Sequence, residues 1–163
     1  MLACRGEEAS PILTLRMKTL VYETCGETVI FVCGEIPLDD REWNEYVAFL
    51  ARHFKPGRKN RSLVLAPSAG AQPTSLQRGR LNDVLTKLKA EGAELKSAIL
   101  TNSPLVRGVI TALQWFNRDV FRTFPPGELR AALSFLDLQG ARAADTETVL
   151  RRLERELRMS ATA

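Results

Sequence analysis

Residues 96–138 read KSAILTNSPLVRGVITALQWFNRDVFRTFPPGELRAALSFLDL, and this stretch predicts how the chain alternates between strands and helices. The apolar run at residues 97–101 predicts a buried strand, and Ser103 followed by Pro104 predicts the start of a helix. A short strand is predicted at residues 120–124. After a Pro-Pro pair, apolar residues recur at the spacing of one helical face, so a second helix is predicted there.

Two segments near the N-terminus, residues 15–22 and 27–34, are rich in β-forming residues and predict a hairpin. The turn is predicted at residues 23–26, because Gly26 can adopt a positive φ. The second segment is apolar on both faces, which is typical of a strand inside a sheet. The first segment alternates apolar and polar residues, so one of its faces is expected to be half solvated.

Helices and strands alternate after the hairpin. Asp39 with Glu42 matches the spacing of a capping box and predicts a helix start. Thr74 with Gln77 predicts another, and residues 63–65 predict a strand between the two helices. Strands that are connected through helices pair in parallel by right-handed crossovers. We therefore predict an α/β fold, with a mixed sheet of four to five strands and with helices packed mainly on one face.

The pattern divides the chain into three parts. Residues 1–13 show no consistent period and predict a loose N-terminal arm, and residues 14–140 contain the α/β domain. Residues 141–163 predict an amphipathic C-terminal helix with a narrow apolar stripe: Val149, Leu150, Leu153 and Leu157. An isolated helix of this length is marginal in water. We expect it to dock either on the domain or on a partner, including a second copy of the chain in a homodimer.

Length and composition indicate one globular domain. A chain of 163 residues buries about 70% of the surface that its unfolded form exposes, which is enough for a real core. The hydrophobic share of 45% is ordinary, and no apolar run approaches the roughly 18 residues that span a bilayer. Arg5, Glu7 and Glu8 interrupt the N-terminus where a signal peptide needs apolar residues, so a cytoplasmic location is expected.

Histidine and cysteine, which many catalytic and metal sites use, are scarce in this chain. The cysteines Cys4, Cys25 and Cys33 form no CxxC pair, and His53 is the only histidine. Neither a zinc site nor a nucleophile–histidine pair is therefore predicted. The chain also has no P-loop and no GxGxxG fingerprint. We expect no metal, no cofactor and no enzymatic activity.

Two helix starts are expected at one edge of the sheet. One carries Thr74, Ser75 and Arg78, and the other carries Ser103 and Arg107. If the preceding strands are neighbours, free backbone N–H groups, helix dipoles and two guanidinium groups converge at this edge. That combination suits a phosphate, a carboxylate or an acidic side chain. In the alternative interpretation, the hydroxyl residues are ordinary caps and the arginines are solvated.

A cluster of cationic residues follows the first predicted helix and is predicted to form a basic loop. Its members are Arg52, Lys55, Arg58, Lys59 and Arg61. Such a loop could bind nucleic acid weakly through its phosphates, with an affinity that falls steeply with salt. A solvated loop is the simpler expectation, because the net charge of +4 is mild.

Several segments together match the pattern of a known family. They are the hairpin at residues 22–34, Leu63-Val64-Leu65 with Gln77-Arg78, residues 98–107, Trp115-Phe116-Asn117, and Phe124-Pro125-Pro126 with Ala131-Ala132-Leu133. Residues 15–138 thereby resemble the STAS domain of anti-sigma factor antagonists, and in particular short bacterial STAS/SEC14-like proteins. The resemblance implies a STAS-like fold and a non-catalytic regulatory module that binds another protein, such as a kinase or another signalling component.

The resemblance also implies a phosphorylation switch. In the antagonists, a serine in an Asp-Ser-Ser-Gly-like turn opens the helix after the third strand. The corresponding turn here reads QPTSL, residues 72–76, which keeps the hydroxyls but lacks the aspartate and the glycine. Ser75 is the phosphorylation candidate, since its phosphate would lie at a helix N-terminus beside Arg78. Otherwise Thr74 is a cap and Ser75 is an ordinary first-turn residue.

The SEC14-like side of the resemblance implies a different function, the binding of a lipid or another apolar ligand. It implies an apolar pocket between sheet and helices, lined by Trp43, Phe49, Leu113 and Phe116. A ligand-binding module predicts a cavity of about several hundred Å³. A signalling module predicts instead a filled core and an exposed apolar or charged patch.

Overall fold

A computed structural model describes residues 19–115 and 117–161 of the chain. The predicted N-terminal arm, residues 1–13, lies outside the described residues. Within them the chain forms an α/β fold with one five-stranded mixed sheet and five α-helices, which confirms the predicted fold class.

The N-terminal hairpin consists of β1 (Leu20–Cys25) and β2 (Thr28–Cys33), which pair antiparallel. Gly26 takes a φ of 58° in the two-residue turn, as predicted. The predicted position of the turn, residues 23–26, is wrong. Strand β1 continues to Cys25 because Glu23 and its successors pair in register with β2, and a two-residue loop matches the twist of the strands.

Three further strands complete the sheet: β3 (Lys59–Leu65), β4 (Glu94–Leu100) and β5 (Phe121–Phe124). The strand order is β1-β2-β3-β4-β5, and β2 to β5 are parallel. Each crossover connects a strand to its next neighbour in the same direction. Because right-handed crossovers in one direction put their helices on one side, the three connecting helices share a face of the sheet.

The three connecting helices, α1 (Asp40–His53), α2 (Ser75–Ala90) and α3 (Pro104–Gln114), cover what we call the first face. The second face is covered by α4 (Leu129–Phe135) and α5 (Gly140–Ala161). Three of the five helices thus lie on one face, and the other face is buried as well.

Local signals explain where the helices begin. Asp39 accepts a hydrogen bond from the Glu42 backbone N–H at 2.8 Å, and Thr74 forms a reciprocal capping box with Gln77. Ser103 caps α3, with Pro104 at the first helical position. Each of these side chains satisfies a backbone N–H that the first turn leaves without a partner. The three predicted helix starts are confirmed.

The apolar stripe of α5 packs on the sheet of the same chain. Leu150, Leu153 and Leu157 are buried against the second face, and Val149 is partly buried beside them. Arg152 forms a 2.6 Å ion pair with Glu23 of β1, on the exposed side of this contact. The helix therefore covers the second face over β1 and β2. No helix within the described ranges is long and apolar enough to cross a membrane.

Candidate functional site

The parallel strands end at one edge of the sheet, which we call the carboxyl edge. Strands β2, β3 and β4 end there at Cys33, Leu65 and Leu100. The connections that follow, residues 34–39 and 66–74, carry the chain to the starts of α1 and α2. In parallel sheets, loops at this edge and the helix N-termini behind them form the usual place for a binding site.

The first group of predicted site residues surrounds the start of α2. Arg78 lies across the first turn, where Nη1 donates to the Pro73 carbonyl oxygen and Nη2 donates to Ser75 Oγ, both at 2.9 Å. Ser75 is exposed, whereas Thr74 uses its hydroxyl as the cap. Ser75 and Arg78 are therefore in direct contact at a helix N-terminus.

The second group surrounds the start of α3. Ser103 is buried, its Oγ accepts from the Val106 backbone N–H, and its own N–H donates to Thr101 Oγ1 at 3.0 Å. Arg107 is exposed and donates from Nη2 to the Thr101 carbonyl oxygen at 3.4 Å. Ser103 thus acts as a cap, and within the part of the chain that the structure describes the Arg107 side chain is held by one long hydrogen bond.

The five predicted residues lie at the same edge but form two separate groups. Within the described part of the chain, no hydrogen bond or ion pair joins Ser75 or Arg78 to Ser103 or Arg107. A guanidinium group has five N–H donors, and each of these arginines uses only some of them. Both arginines can therefore still bind an anionic group.

Gln77 connects the starts of α1 and α2. It is 1% exposed, and its Nε2 donates to the Leu38 carbonyl oxygen at 3.1 Å and to Asp40 Oδ1 at 3.0 Å. Its Oε1 accepts from the Thr74 backbone N–H. The sequence predicted only the capping box, because the contacts with Leu38 and Asp40 depend on tertiary structure.

Gly70 allows two connections at the carboxyl edge to touch. It lies in a short 3₁₀ helix, Ala69–Ala71, and a Cβ at this position would lie 1.9 Å from the Glu35 carbonyl oxygen. No side chain fits there without a shift of the backbone. In the sequence, a glycine in a predicted loop is the only trace of this contact.

Three large apolar side chains are exposed at or next to the carboxyl edge. Leu76 and Leu105, in the first turns of α2 and α3, are 60% and 58% exposed, and Ile36 in the connection after β2 is 43% exposed. Large apolar residues that gather at one surface are typical of interaction sites. Sequence reasoning missed them, because helical periodicity does not show which first-turn residues a fold leaves uncovered.

The predicted basic loop is only partly a loop. Arg61 lies in β3 and is buried, with its Nε donating to the Leu136 carbonyl oxygen and its Nη1 3.4 Å from Glu27 Oε2. The prediction of Arg61 as an exposed loop residue is therefore wrong, because the carbonyl at the end of α4 needs a donor on the second face. Lys59 begins the same strand.

Three members of the basic cluster lie before β3. Arg52 is in the last turn of α1, and Lys55 and Arg58 lie in the connection that follows. The side chain of Asn60 organises this connection, because it bonds to the backbone of Lys55 and Arg58 at 2.9 to 3.0 Å. The exposed cationic group is therefore smaller than the sequence predicted.

The pKa values of two groups shift for identifiable reasons. Burial raises the pKa of the Cys33 thiol to about 12, so this cysteine stays protonated and behaves as a small apolar side chain. The hydrogen bond from Lys96, at 2.9 Å, lowers the pKa of Asp137, and the charges of Lys96 and Arg61 act in the same direction. Cys33 is the last residue of β2 at the carboxyl edge but is buried, and Asp137 lies away from that edge, beside the starts of β3 and β4.

No group of three or more His, Cys, Asp or Glu side chains within residues 19–115 and 117–161 is placed to hold a metal ion. His53 stacks on Phe49, with ring centroids 5.8 Å apart and planes within 1° of parallel. The histidine therefore has an aromatic neighbour.

An apolar cavity of about 90 Å³ lies between the first face and its three helices. Trp43 and Leu113, two of the four residues that the SEC14-like resemblance implies for a pocket, line this smaller cavity. Phe49 does not line it, because its ring packs against Tyr22 with centroids 4.7 Å apart. Phe116 lies outside the described residues.

Comparisons of the chain with family models, with curated proteins and with solved structures found no significant match. The STAS resemblance stays a prediction from the sequence.

Proposed function

We propose that the chain is a non-catalytic regulatory module that binds another protein through its carboxyl edge. The observation that supports this proposal is the combination of exposed apolar and cationic side chains at that edge. Ile36, Leu76 and Leu105 supply apolar area, and Arg78 and Arg107 supply guanidinium donors. Exposed apolar patches mark interaction sites, and arginine is enriched at protein interfaces.

The composition of this surface defines the partner chemically. The two leucines each bury a further part of their side chain when an apolar segment covers them, at roughly 25 cal/mol per Å². The arginines favour carboxylates, which they bind with paired N–H donors. The partner segment should therefore combine apolar residues with aspartate or glutamate.

Phosphorylation of Ser75 would change this surface directly. Ser75 is exposed, is the first residue of α2, and already accepts a hydrogen bond from Arg78 at 2.9 Å. A phosphate there would add a charge of about −1.5 to −2, stabilised by the helix dipole and by Arg78. It would occupy the guanidinium that an acidic partner needs, and so would weaken docking.

Site-specific photo-crosslinking tests the docking surface. The replacements Leu76→p-benzoylphenylalanine and Leu105→p-benzoylphenylalanine, made in the full chain in its own cells, should each capture the same protein. The matched control is Arg155→p-benzoylphenylalanine on the exposed side of α5, which should not capture it. Adding Arg78→Glu and Arg107→Glu should lower the yield. Equal capture at all three positions, or none at the edge, would contradict the proposal.

Mass spectrometry of the chain from the same cells tests the switch. An added phosphate that survives denaturation should be present in the wild type and absent from Ser75→Ala, with Thr74→Ala as the control that keeps it. Ser75→Glu should reduce the edge crosslink. A phosphate that remains in Ser75→Ala, or a bare mass under all conditions, rules out Ser75 as the switch while leaving the docking test unaffected.

A further inference from the structure

The cavity on the first face is partly open and is lined mainly by apolar side chains from the sheet and from all three connecting helices. Phe31 and Ile99 line it from the strands, Leu50 and Leu85 from α1 and α2, and Ile110 from α3. Protein interiors are normally packed as densely as organic crystals. A void of about 90 Å³ is therefore an unusual feature of this core.

The floor of the cavity carries hydroxyl groups. Ser62 of β3 and Ser97 of β4 are paired in register, and their Oγ atoms lie 3.4 Å apart. Both residues are buried, and both line the cavity together with Tyr46, which is also buried. Inner strands of a parallel sheet usually present valine or isoleucine at such positions, because a hydroxyl is costly to bury.

These hydroxyls have unused hydrogen-bonding capacity. A serine hydroxyl can donate once and accept twice, and the bond between Ser62 and Ser97 is long for two hydroxyls. Burial raises the pKa of Tyr46. A hydrogen bond between Tyr46 and Ser62 acts in the opposite direction. A small polar cluster therefore faces an otherwise apolar space.

Helix α3 covers the cavity with few buried side chains. Val106 is buried, whereas Val109, Ile110 and Leu113 are only partly buried although all of them line the cavity. Trp115, at the end of the helix, is 82% exposed. Elements with few buried apolar contacts open at low free energy, so α3 is the route by which a molecule could enter.

We propose that this cavity binds a small apolar molecule that carries one hydrogen-bonding group, with that group on the Ser62–Ser97 pair. Ligand pockets combine apolar walls with a few polar groups that fix orientation, which is the arrangement present here. An engineered apolar cavity of about 150 Å³ binds benzene, so a single ring is the appropriate size after a small outward shift of α3. A lipid is too large, because pockets for drug-sized ligands already measure roughly 300 to 1,000 Å³. The proposal is independent of the docking surface at the carboxyl edge.

Phenol and toluene are the matched probes, because they differ by a hydroxyl in place of a methyl group. Each is titrated into the full chain while the methyl signals of Ile99, Val109 and Ile110 are followed by NMR. We expect saturable shifts for phenol with a dissociation constant of about 1 mM, as befits so few heavy atoms. No saturable shift of these signals with either probe would overturn the proposal.

Two variants separate the polar and apolar parts of the site. In Ser62→Ala/Ser97→Ala, the ratio of phenol to toluene affinity should fall about tenfold, which isolates the hydroxyl contact because the solvation of each probe is unchanged. In Val109→Phe, which fills the cavity from its partly exposed wall, both probes should lose binding. An unchanged ratio overturns the role of the serines, and unchanged binding in Val109→Phe overturns the location. If Val109→Phe does not fold, Ala71→Leu fills the same cavity from the 3₁₀ helix.

Discussion

The two faces of the sheet are covered to different degrees. On the second face, Leu136 and Leu150 are almost completely buried in a continuous apolar cluster. On the first face a cavity of about 90 Å³ lies under α3, and within that helix, Pro104–Gln114, Val106 alone is buried. The first face therefore has free space within its apolar core. The space of about 420 Å³ beside the second face lies near the hairpin turn instead and is bordered by polar groups such as Glu27, Arg61 and Asp145.

The second face therefore contributes mainly to stability, whereas the first face is the one suited to binding. A close-packed face loses contacts when any side chain shifts, so it holds the strands in register. A loosely covered face can rearrange at lower free energy, and sites that bind partners or ligands are drawn from such regions. Leu105 and the cavity both belong to the loosely covered side, through α3.

A truncation on the second face should destabilise the protein most. Leu150→Ala should lower the free energy of unfolding by about 3 kcal/mol, because it removes a fully buried side chain from a packed site. Val109→Ala should cost about 1 kcal/mol or less, since this residue is partly exposed and already borders a void. Urea unfolding measures both. Equal losses would mean that the two faces are packed alike.

At the carboxyl edge, the loop before α2 contacts the loop after β2 through Gly70 and Glu35. Gly70→Ala should destabilise the protein by about 2 kcal/mol or more, because its Cβ would overlap the Glu35 carbonyl oxygen. Gly108→Ala in α3 is the matched control. It has open space around the new methyl group and should stabilise by about 0.5 to 1 kcal/mol through helix propensity. Thermal unfolding of both variants would reveal opposite shifts.

Adding apolar atoms should change the free energy of unfolding in opposite directions on the two faces. Val109→Ile places one more carbon beside the cavity and should raise the free energy of unfolding by about 0.5 to 1 kcal/mol. Ala132→Val enlarges a fully buried residue of α4 on the second face and should lower it by about 1 to 3 kcal/mol. If both variants are destabilised in urea unfolding, the cavity cannot accept added volume.

The smallest effect concerns pH and the ion pairs at the end of α4. The hydrogen bond from Lys96 is the main reason that the folded pKa of Asp137 is lowered from 3.8. The contribution of Asp137 to the free energy of unfolding is therefore complete above pH 3.8 and is lost as the pH falls below it. The wild type should therefore lose more stability than Asp137→Asn on acidification from about pH 5 to pH 2.5. Asparagine is the suitable control because residue 137 has a φ of 57°, which asparagine tolerates. If the stabilities of the wild type and of Asp137→Asn fall by the same amount over this pH range, ionised Asp137 does not stabilise the fold.

The sequence predicted those features that depend on neighbours along the chain. Asp39, Thr74 and Ser103 cap helices as expected, because a cap is decided within four residues. The alternation of strands and helices was also sufficient to predict a mixed sheet with parallel crossovers.

Features that depend on distant contacts were not predictable in the same way. The burial of Arg61 follows from the position of the Leu136 carbonyl, 75 residues further along the chain. Gly70 is needed because of Glu35, and the exposure of Leu76 depends on what the fold places over the start of α2. None of these tertiary contacts produces a periodic pattern in the sequence.

The position of α5 has a consequence for synthesis on the ribosome. The strand order follows the chain, so each new strand can add to a neighbour that already exists. The second face of β1 and β2, however, is covered by the helix Gly140–Ala161, which is translated last. Ile30 and Val32 therefore stay exposed to water or to chaperones while more than a hundred residues are added. A nascent chain that stops after Leu138 exposes an apolar, aggregation-prone sheet surface.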